Sequence, residues 1–315
     1  MKRILQYIYV AIGVYVIYYV SSVIIDINLI SLKKQIDSIG FATILICLSM
    51  YLMSHAVRVI RLAVIINQDD VSLRKLFKAQ YLTNGINLVI PFKLGEVYRV
   101  VEYNKIIKDP MKSTLVILSE RVIDFIVIFS FLIFTLHEFK KLPTEMNFLM
   151  VSGVCFIIVT LFVYFILPEN LTSVMIFIVK KYNSSISVKI LRLMENIYSM
   201  INNIKKLFRR KMTTIILLSL LIWGCELSVF YYVTEFISNV HLIILLGLLV
   251  FLSSLIPSGP LGYGGLQLAF YYISEMIKVP NFIELSIIYQ IFIFLPAVLI
   301  CLFIYAFDII IKGDK

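Results

Sequence analysis

The stretch NLVIPFKLGEVYRVVEY, Asn87 to Tyr103, decides how the chain is read. It places Lys93, Glu96, Arg99 and Glu102 within ten positions, beside the helix breakers Pro91 and Gly95. The 315-residue chain as a whole is 61% hydrophobic and only 15% charged, with a mean hydropathy of +0.96. A soluble domain cannot hide that much apolar surface, so the fold class is an all-α polytopic membrane protein. Charge beside a broken helix then needs a reason, because an ionisable residue at the centre of a span costs roughly 2.5–3.5 kcal/mol.

Outward from that stretch, apolar runs that reach the roughly 20 residues needed to cross about 30 Å of hydrocarbon occur at Ile4–Ile25, Phe41–Ile66, Thr114–Leu136, Phe148–Leu167, Thr213–Ile237 and Ile283–Ile311. The first follows Met1-Lys2-Arg3, but it is too long for a signal-peptide core and no small-residue cleavage pattern follows, so it reads as a retained span. Residues 80–108 and 240–278 hold only short apolar pieces, interrupted by Pro91 and Gly95 in one and by PSGPLGYGG in the other. Each reads as a pair of half-helices entering and leaving on one side, or as two ordinary short spans. Broken backbone at membrane depth is tolerated only where protein or a polar cavity satisfies its amides. The expected architecture is six full spans plus two re-entrant helical hairpins, or eight spans, in a single transmembrane domain over residues 1–315.

The net charge of +10 does not call for nucleic acid, since basic residues collect in the cytoplasmic loops of membrane proteins. The longest loop, Pro168–Met212, carries nine Lys and Arg against Glu169 and Glu195 and is placed inside. Counting outward puts both termini and Asn67–Gln80 in the cytoplasm, and the loops near 26–40 and 137–147 outside. That count closes if the first hairpin enters from the cytoplasm and the second from outside, an arrangement that points to an inverted repeat with a site near the midplane. Within the basic loop, residues 180–211 include apolar positions Ile186, Ile190, Leu193, Ile197, Ile201, Ile204 and Leu207 at helical spacing. This is an amphipathic helix on the inner leaflet, or a linker helix packed on other loops. The four cysteines stand singly in apolar segments, without metal spacing, and read as small core residues.

Three constellations carry chemistry. On a helix, Lys93, Glu96 and Arg99 lie along one side, with Glu102 continuing it and Asn87 just before the break. In SERVIDF, Glu120 and Asp124 share a face and Arg121 lies three before Asp124. Glu226, alone in LLIWGCELSVF, is a further candidate for the same polar interior. The third is IPSGPLGYGGLQ, Ile256 to Gln267, where Gly262, Gly264 and Gly265 expose backbone and a helix N-terminus attracts an anion such as a phosphate head group; a plain tight turn is the alternative. Arg58 and Arg61, near a span end, read as snorkelling to the interface. His55, one turn from Arg58, reads as a satisfied core histidine, with a place facing the cavity as the alternative.

These residues resemble the flippase-like membrane domain of lysylphosphatidylglycerol synthases. That family carries an Asn-x(3)-Pro-x-Arg-x-Gly-Glu-x-x-Arg segment, met here by Asn87, Pro91, Gly95, Glu96 and Arg99 with Lys93 in place of Arg. Its Glu-Arg-x-x-Asp segment is met by Glu120, Arg121 and Asp124. Its late Pro- and Gly-rich segment is met loosely by Pro257 to Gln267, with Gln267 where an acid is usual. The resemblance implies movement of an amphipathic lipid between leaflets. The chain stops at Lys315, so it is expected to lack the soluble aminoacyl-transfer domain of bifunctional members.

The expectation is a lipid transporter of the cell membrane with a membrane lipid as substrate and no cofactor. Asn87, Lys93, Glu96, Arg99, Glu120, Arg121, Asp124, Glu226, Gly262, Gly264, Gly265 and Gln267 are its candidate substrate-binding residues. A second copy of the chain and a separate lipid-synthesising enzyme are candidate partners. No Walker-type phosphate loop is present, so ATP hydrolysis is not expected. The alternatives are an intramembrane transferase using Glu120 or Asp124 as general base, and a scaffold recruiting envelope enzymes through residues 180–211.

Overall fold

The computed structural model describes residues 29–66, 71–90, 94–135, 167–181, 185–234, 239–253, 260–277 and 282–313, with isolated positions between 151 and 159. The expected spans Ile4–Ile25 and Phe148–Leu167 lie almost wholly outside them. All regular elements among the described residues are helices: α1 (Leu29–Ile39), α2 (Phe41–Ile66), α3 (Leu73–Val89), α4 (Leu94–Ile107), α5 (Pro110–Thr135), α6 (Leu167–Lys181), α7 (Ser185–Val233), α8 (Val240–Ser253), α9 (Gly265–Ile277), α10 (Phe282–Tyr289) and α11 (Leu295–Gly313). A 3-10 turn, Pro260–Gly262, precedes α9, and a π-turn, Gln290–Phe294, joins α10 to α11.

Among the described residues, three stretches are long and apolar enough to cross a membrane: Phe41–Ile66, Lys211–Val233 and Glu284–Ala306. The expected span Thr114–Leu136 appears as α5, 26 residues long; Glu120, Arg121 and Asp124 lower its hydropathy. Polarity is inverted relative to a soluble protein. Arg61, Arg99, Glu120 and Asp124 are buried, while Leu217, Leu221, Leu299, Leu302 and Phe303 face outward. Large outward apolar surface of this kind belongs against lipid. The protein is therefore a polytopic helical membrane protein.

The two interrupted regions fold as helix–break–helix hairpins. In the first, α3 and α4 pack on each other; in the second, α8 packs on α9. None of these helices exceeds 17 residues, short of the roughly 20 that a full crossing needs. Around them, α2 packs along α7 and also touches α3 and α5, α11 lies along α3, and α8 contacts α5 and α7. Where Gly85 faces α11, a Cβ would lie 2.2 Å from Cys301 Cβ, so only glycine allows that approach.

The junction from α4 to α5 is set locally. Lys108 takes a left-handed φ of 59° and its N–H closes α4 on Asn104 O at 2.8 Å. Asp109 then caps α5, its Oδ1 accepting from the N–H groups of Met111 and Lys112 at 3.0 and 3.1 Å, and Pro110 opens the helix without an amide to satisfy. This short KDP link delivers Arg99 and Glu120 to the same depth.

Several boundaries differ from the sequence reading. The segment near 26–40, expected as a loop, contains α1, closed by Gly40 at φ 74°. Leu73–Gln80, placed in a loop, is the first half of α3. In the basic loop the expected helix is present within α7, but α7 continues into the following span, interrupted only at Lys211, and α6 adds a helix at the loop's start. Short amphipathic or basic helices lack the apolar length that marks a span, and hydropathy alone reads them as loops. Cys47, Cys225 and Cys301 are buried as expected, but Cys155 is exposed; in a membrane chain an apolar segment does not imply a protein interior.

Candidate functional site

At the centre of the bundle a chain of alternating charges runs across four helices. On α5, Asp124 is gripped twice by Arg61 of α2, with Nη1 to Oδ1 at 2.6 Å and Nη2 to Oδ2 at 3.2 Å. Arg58, one turn earlier on α2, donates to Asp124 Oδ2 at 3.1 Å and to Glu226 Oε1 of α7 at 3.3 Å. Ser54 completes the Glu226 shell at 2.7 Å, and Ser219 accepts from Arg61 at 2.9 Å.

The other branch begins at Glu120, which approaches Arg61 at 3.7 Å and accepts from Arg99 of α4 at 2.6 Å. Arg99 is 3.8 Å from Glu96, and Glu96 also pairs with Arg121 of α5. The order is thus Arg121, Glu96, Arg99, Glu120, Arg61, Asp124, Arg58, Glu226: four guanidiniums and four carboxylates, each beside an opposite charge. In a low-dielectric interior such pairing is what makes buried ions tolerable. Arginine suits it because its planar fork binds a carboxylate through two parallel bonds.

The polar motif of the first hairpin explains itself in this geometry. A Cβ at Gly95 would sit 2.0 Å from Asn87 Oδ1 and 2.6 Å from Asn87 Cα. Glycine therefore lets α4 start directly against the end of α3. That contact aligns Asn87 Nδ2 to donate to Glu96 Oε1 at 3.1 Å. One turn later Arg99 rests on Tyr103, Nε to OH at 3.1 Å, and Tyr103 donates to Gln80 Oε1 of α3 at 2.7 Å. Glu102 stands apart from the network and pairs with the exposed Lys105. Lys93 and Pro91 lie outside the described residues.

The network borders a cavity of about 200 Å³. One wall is charged: Arg58, Glu96, Arg99, Glu120, Arg121, Asp124 and Glu226. The facing wall is aromatic and apolar, with Trp223 and Phe230 of α7, Phe251 of α8, and Tyr289 and Phe294 beside the π-turn. Between them lie neutral polar groups: Tyr51, His55, Gln80, Thr83, Asn84 and Asn87. All three apolar spans contribute lining residues from their interiors, which sets the cavity within the membrane-spanning part of the bundle. Among the described residues no group of His, Cys, Asp and Glu converges as a metal site.

Sequence reasoning and structure part company in three places. Arg58 and Arg61 do not snorkel: the Arg61 side chain is 0% exposed and Arg58 16%. Acids on α5 and α7 supply inside the bundle what the interface would otherwise supply. A signal existed, since Ser54, Arg58 and Arg61 fall at i, i+4 and i+7 on one stripe of α2. His55 is buried but not satisfied at both nitrogens. Nδ1 lies 3.4 Å from Gln80 Nε2, while Nε2 is buried without a hydrogen-bond partner among the described residues. Gly262, Gly264, Gly265 and Gln267 do not line the cavity. Gln267 Oε1 accepts from the Gly264 N–H at 2.8 Å, the backward half of a capping box at the start of α9. Its Nε2 donates to Gln290 Oε1 at 2.9 Å, and Gln290 donates to Leu261 O at 3.1 Å. This amide chain ties the glycine turn to the π-turn, and an amide serves it better than a carboxylate because both donor and acceptor are used.

Fold and site together define an α-helical membrane protein with a buried, charge-alternating network beside an amphipathic cavity. The chain belongs to the Lysylphosphatidylglycerol synthase TM region family, which matches residues 6–302. That places it among lipid-related membrane proteins. No curated protein and no solved structure matches the chain.

Proposed function

We propose that the protein is a lipid transporter that moves the head group of an amphipathic lipid through this cavity while the acyl or prenyl chains stay in the bilayer. The observation that carries the reading is the cavity's two-faced lining, charged on one wall and aromatic on the other, within a bundle whose outer surface is apolar. Such a lining gives a polar head group partners at membrane depth, where an unpaired polar group costs several kcal/mol.

Exposure sorts the roles. Arg61 is sealed and positions α2 on α5. Arg121, 34% exposed, and Glu96, 27% exposed, are the pair that an entering group can reach. Arg121 is assigned to a phosphate oxygen and Glu96 to the cationic part of a head group or to holding Arg121, with Arg99, Glu120 and Asp124 organising them. Lys93 is proposed as a further cation on the same path. The short helices of the two hairpins are read as re-entrant, entering from opposite faces as an inverted repeat, with both termini in the cytoplasm and the protein in the cell membrane. Transport is downhill or driven by protons or membrane potential.

The test is transport of labelled lipids in reconstituted vesicles. The charge-conserving double variant Glu96→Gln/Arg121→Ala is expected to slow transport at least tenfold while remaining folded. Unchanged transport in that variant would remove the assignment. An intramembrane transferase predicts a chemically altered lipid after incubation, which the same vesicles report by mass spectrometry.

A further inference from the structure

We infer that the buried part of the cavity receives an uncharged, hydroxyl-rich portion of the head group, a glycosyl moiety, rather than a fixed ionic group; this rests on the transport reading above. Each described guanidinium and carboxylate of the network already faces an opposite charge. A second ion forced among the buried members would displace a partner and strand it, which costs far more than an intact pair contributes.

Arg58 Nε and Glu120 Oε1 are also buried without a hydrogen-bond partner among the described residues, but each belongs to a group already paired with an opposite charge; the neutral groups have no such pairing. Gln80 Oε1 accepts from Tyr103 OH at 2.7 Å and from Arg99 Nη2 at 3.3 Å. Its amide nitrogen is therefore the end turned to His55, where it donates to Nδ1 at 3.4 Å. His55 Nδ1 thus carries no proton, and the ring proton sits on Nε2. That N–H is buried without a partner among the described residues, and so is Trp223 Nε1–H. His55 is 7% and Trp223 4% exposed, and both line the cavity. These two unmatched neutral donors share the cavity with one unmatched neutral acceptor, Asn87 Oδ1, and the set asks for a neutral group that both accepts and donates. Asn84 and Tyr51, linked at 3.2 Å, add amide and hydroxyl groups beside them. The rings of Trp223 and Phe251, 5.6 Å apart, and of Phe294 supply apolar faces. Hydroxyl acceptors on a ring with apolar C–H faces match this set: a sugar.

Trp223 is the chain's one tryptophan, so its fluorescence reads the cavity directly. The full chain in phosphatidylcholine nanodiscs is titrated with short-chain glucosyl diacylglycerol, short-chain prenyl-phosphate hexose and, for contrast, short-chain phosphatidylethanolamine. A saturable change in Trp223 emission with a sugar lipid and none with phosphatidylethanolamine is expected. A response to the diacylglycerol form, the prenyl-phosphate form or both identifies the carrier of the sugar. His55→Phe, which keeps a ring and removes the donor, is expected to weaken sugar-lipid binding roughly three- to tenfold, as for loss of one neutral hydrogen bond. Asn84→Leu tests the same wall if His55→Phe does not fold. No response to either sugar lipid, or an equal response to phosphatidylethanolamine, overturns the inference. Transport of a phosphatidylethanolamine probe alongside that outcome leaves the transporter reading intact; sugar-lipid binding without any transport removes that reading and keeps this one.

Discussion

The two hairpins share a plan and differ in content. Both are pairs of short helices joined by a break, and both contribute to the cavity. The first, α3–α4, brings Asn87, Glu96 and Arg99 and is locked by ion pairs and by Gly95 against Asn87. The second, α8–α9, brings Gly247, Val250 and Phe251, with every residue from Ile243 to Leu249 buried. Its polar tie is the neutral Gln267–Gln290 chain, away from the cavity. One hairpin thus supplies Glu96 and Arg99 to the charged wall, which α2, α5 and α7 complete, and the other supplies part of the apolar wall. The difference teaches that a broken helix in a membrane need not carry the site's chemistry. It must satisfy its freed amides, and a glutamine cap does that as well as a polar cavity.

The contrast makes graded predictions, since ions in a buried network should be dearer to lose than neutral caps. The largest effect is expected at Arg61→Ala, which leaves Asp124 without its two-point grip; about 3–5 kcal/mol of stability should be lost, measured by thermal unfolding in detergent. Arg61→Met/Asp124→Leu removes the pair together and should recover most of that. If the single variant is as stable as wild type, the network is not what holds α2 to α5.

Next is Gly95→Ala. Its Cβ would meet Asn87 Oδ1 at 2.0 Å, and forcing a helix pair apart should cost about 1–3 kcal/mol and break the Asn87–Glu96 bond. Cross-linking between cysteines placed on α3 and α4 would report the separation. A smaller effect belongs to the second hairpin: Gln267→Ala should cost about 1 kcal/mol, the usual value of a lost cap, and Gln267→Glu should restore the cap on the Gly264 N–H but not the bond to Gln290, because a carboxylate cannot donate. Equal damage from Gln267→Ala and Arg61→Ala would erase the contrast between the hairpins. At the small end, Lys105→Ala removes a solvent-exposed cation from its pair with Glu102 and should change stability by less than about 0.5 kcal/mol.

The charged half of this picture was legible in the sequence, and the reason is energetic. Glu96, Arg99, Glu120, Arg121 and Asp124 stand in apolar surroundings where an ion persists only with a partner, so their presence announced a network. Arg58 and Arg61 were misread because an arginine near a span end looks the same whether its partner is interfacial water or an acid 63 residues away, as Asp124 is from Arg61. Only the packing of α2 on α5 decides it. The neutral wall was harder still. Gln80, Asn84 and His55 carry no charge to stand out, and their role depends on which way α3 faces. Gln267 looked like a defective acid until its cap geometry gave it a use. The short helices α1 and α6 escaped because hydropathy registers length and apolarity, not helicity.

Whether the cavity holds a lipid head group is tested most directly by lipid mass spectrometry on the purified protein, wild type beside Glu96→Gln/Arg121→Ala. A lipid enriched over the surrounding membrane is expected with wild type and is expected to be lost with the variant. No enrichment in wild type, or enrichment that survives the variant, would contradict it and leave the charged chain as a structural brace alone.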